Sequence, residues 1–167
     1  MIVIINMKQI SLTQNKFAIV DKVDFEYLNK WKWTYAKGYA IRNIGGRKNK
    51  QTIYMHRLIL DTPEGLFTDH INRNTLDNRF KNLRLADKSQ NMANSKLSVK
   101  NTSGVKGVHK VIFKVKHKDK IYQYPRWLAH IMVKGKRIKL GIFKKLSDAS
   151  LIRQQAEKKY FGEYANT

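Results

Sequence analysis

The chain has 167 residues, room for one medium domain or two small ones. Hydrophobic residues make up 42% and aromatics 11%, which excludes a disordered polyelectrolyte and permits a packed core. Thirty-four Lys and Arg stand against 12 Asp and Glu, a formal net charge of +22 that repels itself in a compact state unless a polyanion supplies the counter-charge.

Nucleic acid is therefore the first partner to consider. An anionic membrane surface ranks below it, because no basic amphipathic helix stands out. No apolar run approaches the ~20 residues of a membrane span. Cysteine is absent, which excludes disulfides, thiolate zinc sites and cysteine nucleophiles, and fits a reducing cytoplasm. The apolar start, Met1 to Lys8, lacks a basic lead, a long enough apolar core and a cleavage site, so it reads as a strand rather than a signal peptide.

In chain order, Phe17-Ala18-Ile19-Val20 predicts a strand, and Asp24 is placed to cap a short helix through Leu28. Trp31, Trp33, Tyr35, Tyr39 and Ile41 predict β structure around a Lys37-Gly38 turn, with Trp31 and Trp33 packing beneath the segment beyond residue 52. A basic loop, residues 45–50, leads to the apolar run Ile53 to Leu60. Pro63-Glu64-Gly65 turns the chain before Phe67. The polar stretch from Ser95 to Gly104 marks a seam. Beyond it, Val108–Lys116, Arg126–Val133 and Arg137–Phe143 predict three strands, the last two joined by a tight turn at Lys134-Gly135-Lys136. Ser147 is placed to cap a helix running to about Phe161. Ala149, Ile152, Ala156 and Tyr160 form its apolar face, and Gly162 its stop.

The chemistry concentrates in residues 69–94. Phosphodiester hydrolysis needs a base for the attacking water and positive charge near the developing oxyanion. His70 suits the first role, since an imidazole with an ordinary pKa near 6.5 is mostly neutral at pH 7. Asp69 is a hard oxygen ligand for Mg²⁺ or Mn²⁺. Asn91 lies on a predicted helix with Asp87 as cap and Gln90 at the capping-box position, where an amide oxygen can be a second, neutral ligand. Asn94, three residues on, is the alternative. Asn82 can tie the loop back and orient His70, while Arg79, Lys81 and Arg84 can hold phosphates. Adjacent strand residues point to opposite faces, so Asp69 and His70 share a site only where the strand ends or bulges.

Five segments together carry a family resemblance: Met55–Leu60, Thr68–Asn72, Thr75–Arg79, Lys81–Arg84 and Ser89–Met92. Residues 53–96 resemble the HNH nuclease module of phage and intron-encoded homing endonucleases. The resemblance implies a ββα-metal finger with one bound ion. Carried over, Asp69 and Asn91 are the ligands, His70 the general base and Asn82 the orienting residue. It gives His56 no role, and that side chain reads as structural or as a phosphate contact.

In the second half, strand alternation puts Trp127, Ala129, Ile131 and Val133 on one face and Arg126, Leu128, His130 and Met132 on the other. The first face packs on the helix. The second, with Lys106, His109, Arg137 and Lys139, forms a basic surface able to enter a major groove. Residues 103–165 are similar to the plant ethylene-response-factor (APETALA-type) DNA-binding domain. The segments concerned are Ser103–Val108, Arg126–Ile131, Lys139–Phe143, Asp148-Ala149 and Tyr160–Ala165. Its base-reading arginines are replaced here by His109, Val111, His130 or Met132, so sequence preference does not carry over.

The whole chain thus predicts an α+β protein. A β-rich segment covers residues 1–52, a nuclease finger 53–96, a linker 97–103, and a three-stranded antiparallel sheet packed on one helix 104–167. The function implied is a metal-dependent HNH endonuclease of homing type, phage-borne or otherwise mobile. It would act on duplex DNA in the cytoplasm of a bacterial host, with one Mg²⁺ or Mn²⁺ per site. A monomer would nick; a dimer could cut both strands. The alternatives are a non-catalytic, sequence-specific DNA-binding protein with a degenerate finger, and an RNA-binding protein, which fits the charge but leaves the ordered Asp-His, Asn, Asn set unexplained.

Overall fold

A computed structural model describes residues 6–165. Met1 to Ile5, the start of the strand expected from Met1 to Lys8, lie outside the described residues. The protein is a mixed α/β chain of several small sheets and few helices, and it divides into two compact units, residues 1–91 and 92–167. Among the described residues no helix is long and apolar enough to cross a membrane.

In the first unit β1 (Met7–Ser11) pairs antiparallel with β2 (Phe17–Asp21), and α1 (Lys22–Leu28) follows without a break. Asp24 does not cap this helix. It falls in the first turn, where burial and the charge of Asp21 raise its pKa. Asp21 holds the cap position, but its Oδ2 accepts the Phe80 N–H at 2.7 Å instead of a helix amide. β3 (Thr34–Ala36) and β4 (Tyr39–Ile44) form the expected hairpin. Lys37 and Gly38 both take positive φ, as a two-residue primed turn requires. β5 (Gln51–Tyr54) adds the third strand, and the apolar run after it closes into α2 (Met55–Ile59).

The core of this unit gathers Ile10, Leu12, Ala18, Val20, Leu28, Trp33, Ala40 and Met55, with Trp31 packed against it. The Trp33 indole N–H donates to the Leu28 carbonyl at 2.9 Å, so the ring is buried with its polar atom satisfied. The Arg42 guanidinium lies 4.0 Å from the Trp31 ring centre. β6 (Phe67–His70) and β7 (Leu83–Ala86) make a second antiparallel pair, and α3 (Lys88–Asn94) follows β7. Its start is a reciprocal capping box. The Asp87 N–H donates to Gln90 Oε1 at 2.7 Å, and the Gln90 N–H to Asp87 Oδ1 at 2.8 Å.

The second unit holds a three-stranded antiparallel sheet, β8 (Val108–His117), β9 (Lys120–Val133) and β10 (Lys136–Phe143), with β9 central. α4 (Leu146–Phe161) packs on the face that carries Ala129 and Ile131. Ser147 lies inside the first turn of α4 rather than at its cap, and its hydroxyl donates to Asp148 Oδ1 at 3.1 Å. Gly162 ends the helix with φ of 51°. The buried stripe of α4 differs from the expected one. Ala149 and Ala156 are buried, but Ile152 is half-buried and Tyr160 exposed, and Arg153, Glu157 and Phe161 take the interior instead.

β9 begins at Lys120, six residues before the expected Arg126, and the two-residue turn Lys118-Asp119 joins it to β8. That turn has no glycine to announce it; Lys118 itself takes φ of 53°. Pro125 lies beyond the end of the pairing with β10, on a stretch of β9 with one open edge, where a missing N–H is tolerated.

Before β8 the polar stretch is held by its own side chains. Asn101 Oδ1 accepts from the N–H groups of Ser103 and Gly104, and the buried Ser103 hydroxyl donates to the Val108 carbonyl at 2.7 Å. Gly107 has φ of 71°, and a Cβ there would stand 2.4 Å from the His130 carbonyl oxygen and 2.6 Å from Arg153 Nε. Gly107→Ala is therefore expected to destabilise the second unit by about 2 kcal/mol or more. A urea melt that shows no loss would refute this.

Candidate functional site

The loop between β6 and β7 is built from side chains that imitate backbone. Asn72 Oδ1 accepts the Asn74 N–H at 2.8 Å, and Asn74 Oδ1 accepts the Leu76 N–H at 3.2 Å. Asn82 closes the loop: its Oδ1 accepts the Asn72 N–H at 3.0 Å, and its Nδ2 donates to the Asp77 carbonyl at 2.7 Å. β2 clamps the far side. The Ile19 N–H donates to the Leu76 carbonyl at 2.8 Å, and the Asn78 N–H to the Ile19 carbonyl at 2.7 Å.

This clamp places Asn78, which is fully buried, against His70. Asn78 Oδ1 lies 3.2 Å from His70 Nε2, while Asn78 Nδ2 donates to the Leu76 carbonyl at 3.3 Å. The second bond settles which way the amide faces. An amide oxygen only accepts, so Nε2 carries the proton and Nδ1 is the basic nitrogen of the neutral ring. Burial lowers the pKa of His70, while the Asn78 bond and the charges of Asp69 and Asp77 push it back up.

Asp69 sits opposite Arg84 in the register, and its Oδ2 receives both Arg84 Nε and Nη2 at 2.8 Å. β6 ends at His70, where the Arg73 N–H turns back to the His70 carbonyl at 2.8 Å. Arg79 is likewise held by a carboxylate, with Nε 2.7 Å from Asp77 Oδ1 and Nη2 2.6 Å from Oδ2. That pair holds Asp77 below the usual carboxylate range and raises Arg79. Arg79 and Arg84, the two guanidiniums expected on phosphates, are thus each paired with a carboxylate of this segment.

His56, on α2, stands edge-on to His70 with ring centres 5.0 Å apart, and Tyr39 and Tyr54 pack around it at 5.1 and 5.5 Å. Its Nδ1 is buried with no hydrogen-bond partner. Burial first, then the proximity of His70 and Arg57, lowers its pKa to about 3. The unfolded chain takes up this proton near pH 6.5 and the folded one does not, so stability falls as pH drops from 6.5 toward 3. Between pH 6 and 4 the wild type is expected to lose about 1.4 kcal/mol per pH unit more than His56→Phe. Parallel stability-versus-pH curves for the two proteins would refute it.

Among the described residues no group of three or more His, Asp or Glu side chains gathers as a metal cage. Of the expected donors, the Asp69 carboxylate is buried on β6 and the Asn91 amide is half-buried on α3, while the other buried carboxylate of the loop, Asp77, is taken by Arg79. A hard ion that keeps water and takes substrate phosphate oxygens needs no more than one or two carboxylates, so this set fits Mg²⁺ or Mn²⁺. Asn94 is buried and lies beyond the first unit.

In the second unit His109, Arg126, His130, Arg137 and Lys139 share the sheet face opposite α4, as the register with Leu128, Val111 and Met132 requires. The His109 and His130 rings meet edge-on at 5.5 Å, and Arg137 Nη2 donates to His130 Nδ1 at 3.3 Å. Burial, then the charge of Arg137, lowers the His130 pKa. Lys106 is not on the strand. It precedes β8, and its ammonium donates to the carbonyls of Met92, Ala93 and Ser95.

Asn78 is the contact that sequence reasoning missed. The Asp77-Asn78-Arg79 run is visible as a motif, but nothing in it shows that β2 presses Asn78 onto His70.

The chain is 34% identical over 97 residues to an uncharacterized HNH endonuclease of Acanthamoeba polyphaga mimivirus, an alignment covering 57% of this chain and 50% of the relative. The chain thus spans about half the length of the curated relative it matches. No solved structure matches it. Residues 61–93, from the turn before β6 into α3, match the family model of the HNH endonucleases.

Proposed function

We propose that this protein is a metal-dependent HNH endonuclease that hydrolyses phosphodiester bonds in duplex DNA. The observation that carries the reading is the His70–Asn78 clamp, a buried, neutral, oriented imidazole inside the segment matched by the HNH model. Neutrality suits a general base, and the Asn78 bond leaves Nδ1 to take the proton from an attacking water.

Asp69 and Asn91 would hold one Mg²⁺ or Mn²⁺, which supplies charge to stabilise the leaving 3′ oxygen. Arg84 orients the Asp69 carboxylate. Asn82 and Asn72 keep the loop shut around His70. The His109, Arg126, His130, Arg137 and Lys139 face of an ethylene-response-factor-like module positions the duplex. Homing-type or phage-borne biology is part of the same proposal.

The test is conversion of supercoiled plasmid to nicked circles in Mg²⁺, Mn²⁺ or EDTA. Metal-dependent nicking supports the reading. Duplex binding without cleavage in either metal, on plasmids carrying phage and host genomic inserts, moves the protein to a non-catalytic DNA-binding class.

A further inference from the structure

Beyond the end of its pairing with β10 at Trp127, β9 continues back to Lys120 with β8 as its one neighbour. Residues 112–125 therefore form a two-stranded ribbon projecting from the three-stranded sheet. At about 3.3 Å per residue, the seven residues from Lys120 to Arg126 reach about 23 Å. This ribbon adds nothing to the hydrophobic core of the unit, and its side chains are exposed throughout.

Its two faces differ. Phe113 stands opposite Tyr124 and Val115 opposite Tyr122, a stripe on the same side as His109, Arg126 and His130. Phe113 is 45% exposed, Tyr122 44% and Tyr124 41%, and the Arg126 guanidinium lies 5.8 Å from the Tyr124 ring centre. On the other side Lys114 and Lys116 follow the exposed Ile112, with Ile121 opposite Lys116, Lys118 in the turn and Lys120 just after it. Between Asp87 and Asp148 the sequence has a single acidic residue, Asp119. Lysines on an open edge also discourage pairing with another chain, but that role gives no reason for three exposed aromatic rings on one face.

We infer that the ribbon of residues 112–125 is a second DNA-contacting arm, continuous with the basic sheet face and extending the contact along the duplex. A two-stranded ribbon fits the major groove. Its aromatic stripe meets the groove while its long lysine side chains reach the phosphates on either wall. Charge selects the occupant: a face this basic does not bury against a second copy of itself. The inference rests on the DNA reading of the sheet face. At 3.4 Å per base pair the arm covers up to about 7 base pairs beyond it.

The test measures binding of the full chain to mixed-sequence duplex in EDTA across a salt series, with occluded site size from titration of long duplex. The variants are Lys114→Gln/Lys116→Gln/Lys118→Gln/Lys120→Gln and Phe113→Ser/Tyr122→Ser/Tyr124→Ser. The substituted side chains lie outside the core, and circular dichroism checks the fold. The lysine variant is expected to bind with a log–log salt slope shallower by up to about 3.6, at 0.9 per phosphate lost. The aromatic variant is expected to occlude fewer base pairs and to bind at least tenfold more weakly. Wild-type slope, affinity and site size in both folded variants overturn the arm alone. Failure of the wild type itself to bind duplex overturns the DNA reading and the arm with it.

Discussion

His70→Ala is expected to lower plasmid nicking in Mg²⁺ by about 10²- to 10⁴-fold, the range a positioned general base supplies, while duplex binding stays as in the wild type. The ring is buried, carries its proton on the nitrogen that faces Asn78, and has its pKa held down by burial. The acid limb of the pH–rate profile should therefore lie below the ordinary histidine value of 6.5, because activity needs the neutral ring and burial delays its protonation on the way down. Asn78→Ala removes the orienting amide but leaves the base. It should reduce the rate less than His70→Ala while shifting that limb. Full activity in His70→Ala would place the base elsewhere.

Glu157→Ala should cost about 3–5 kcal/mol of stability. Glu157 Oε1 and Arg153 Nη2 are 2.9 Å apart, both side chains are almost fully buried, and Arg153 Nε donates to the Lys106 carbonyl at 2.8 Å. Arg153 Nη1 already lacks a partner, and burial lowers the Arg153 pKa and raises that of Glu157. Taking away the carboxylate strands a guanidinium in the interior. Replacing the pair together, as Arg153→Met/Glu157→Leu, should cost much less, since no charge is then left behind. Equilibrium urea unfolding separates the two outcomes. Equal losses in the single and double variants would mean that the pair stabilises by packing rather than by mutual neutralisation.

Much of the local structure is set by neighbouring residues. Lys37-Gly38 and Lys134-Gly135 turn where a glycine permits positive φ. Asp87 and Gln90 close the capping box at the start of α3. Alternation along β9 sorts Ala129 and Ile131 inward. These features depend on groups a few residues apart, so the order of residues is enough to specify them.

Other features are set by contacts between distant parts of the chain. Asp21 serves Phe80, 59 positions away, rather than its own helix. β2 presses Asn78 onto His70, and Arg84 takes hold of Asp69 across the β6–β7 pair. On α4 the buried stripe runs through Arg153, Glu157 and Phe161, so an ion pair shares the interior that the apolar pattern assigned to Ile152 and Tyr160.

The order of residues alone determined the charge, the two hairpin turns that contain glycine, the start of α3 and the grouping of Asp69, His70, Asn82 and Asn91 into one segment. Tertiary structure decided which amide orients the histidine, which arginines are bound by carboxylates and how far β9 runs past its third strand. The physical reason is that a buried polar group must find a partner wherever the fold brings one, and burial is a property of the packed chain rather than of its neighbours in sequence.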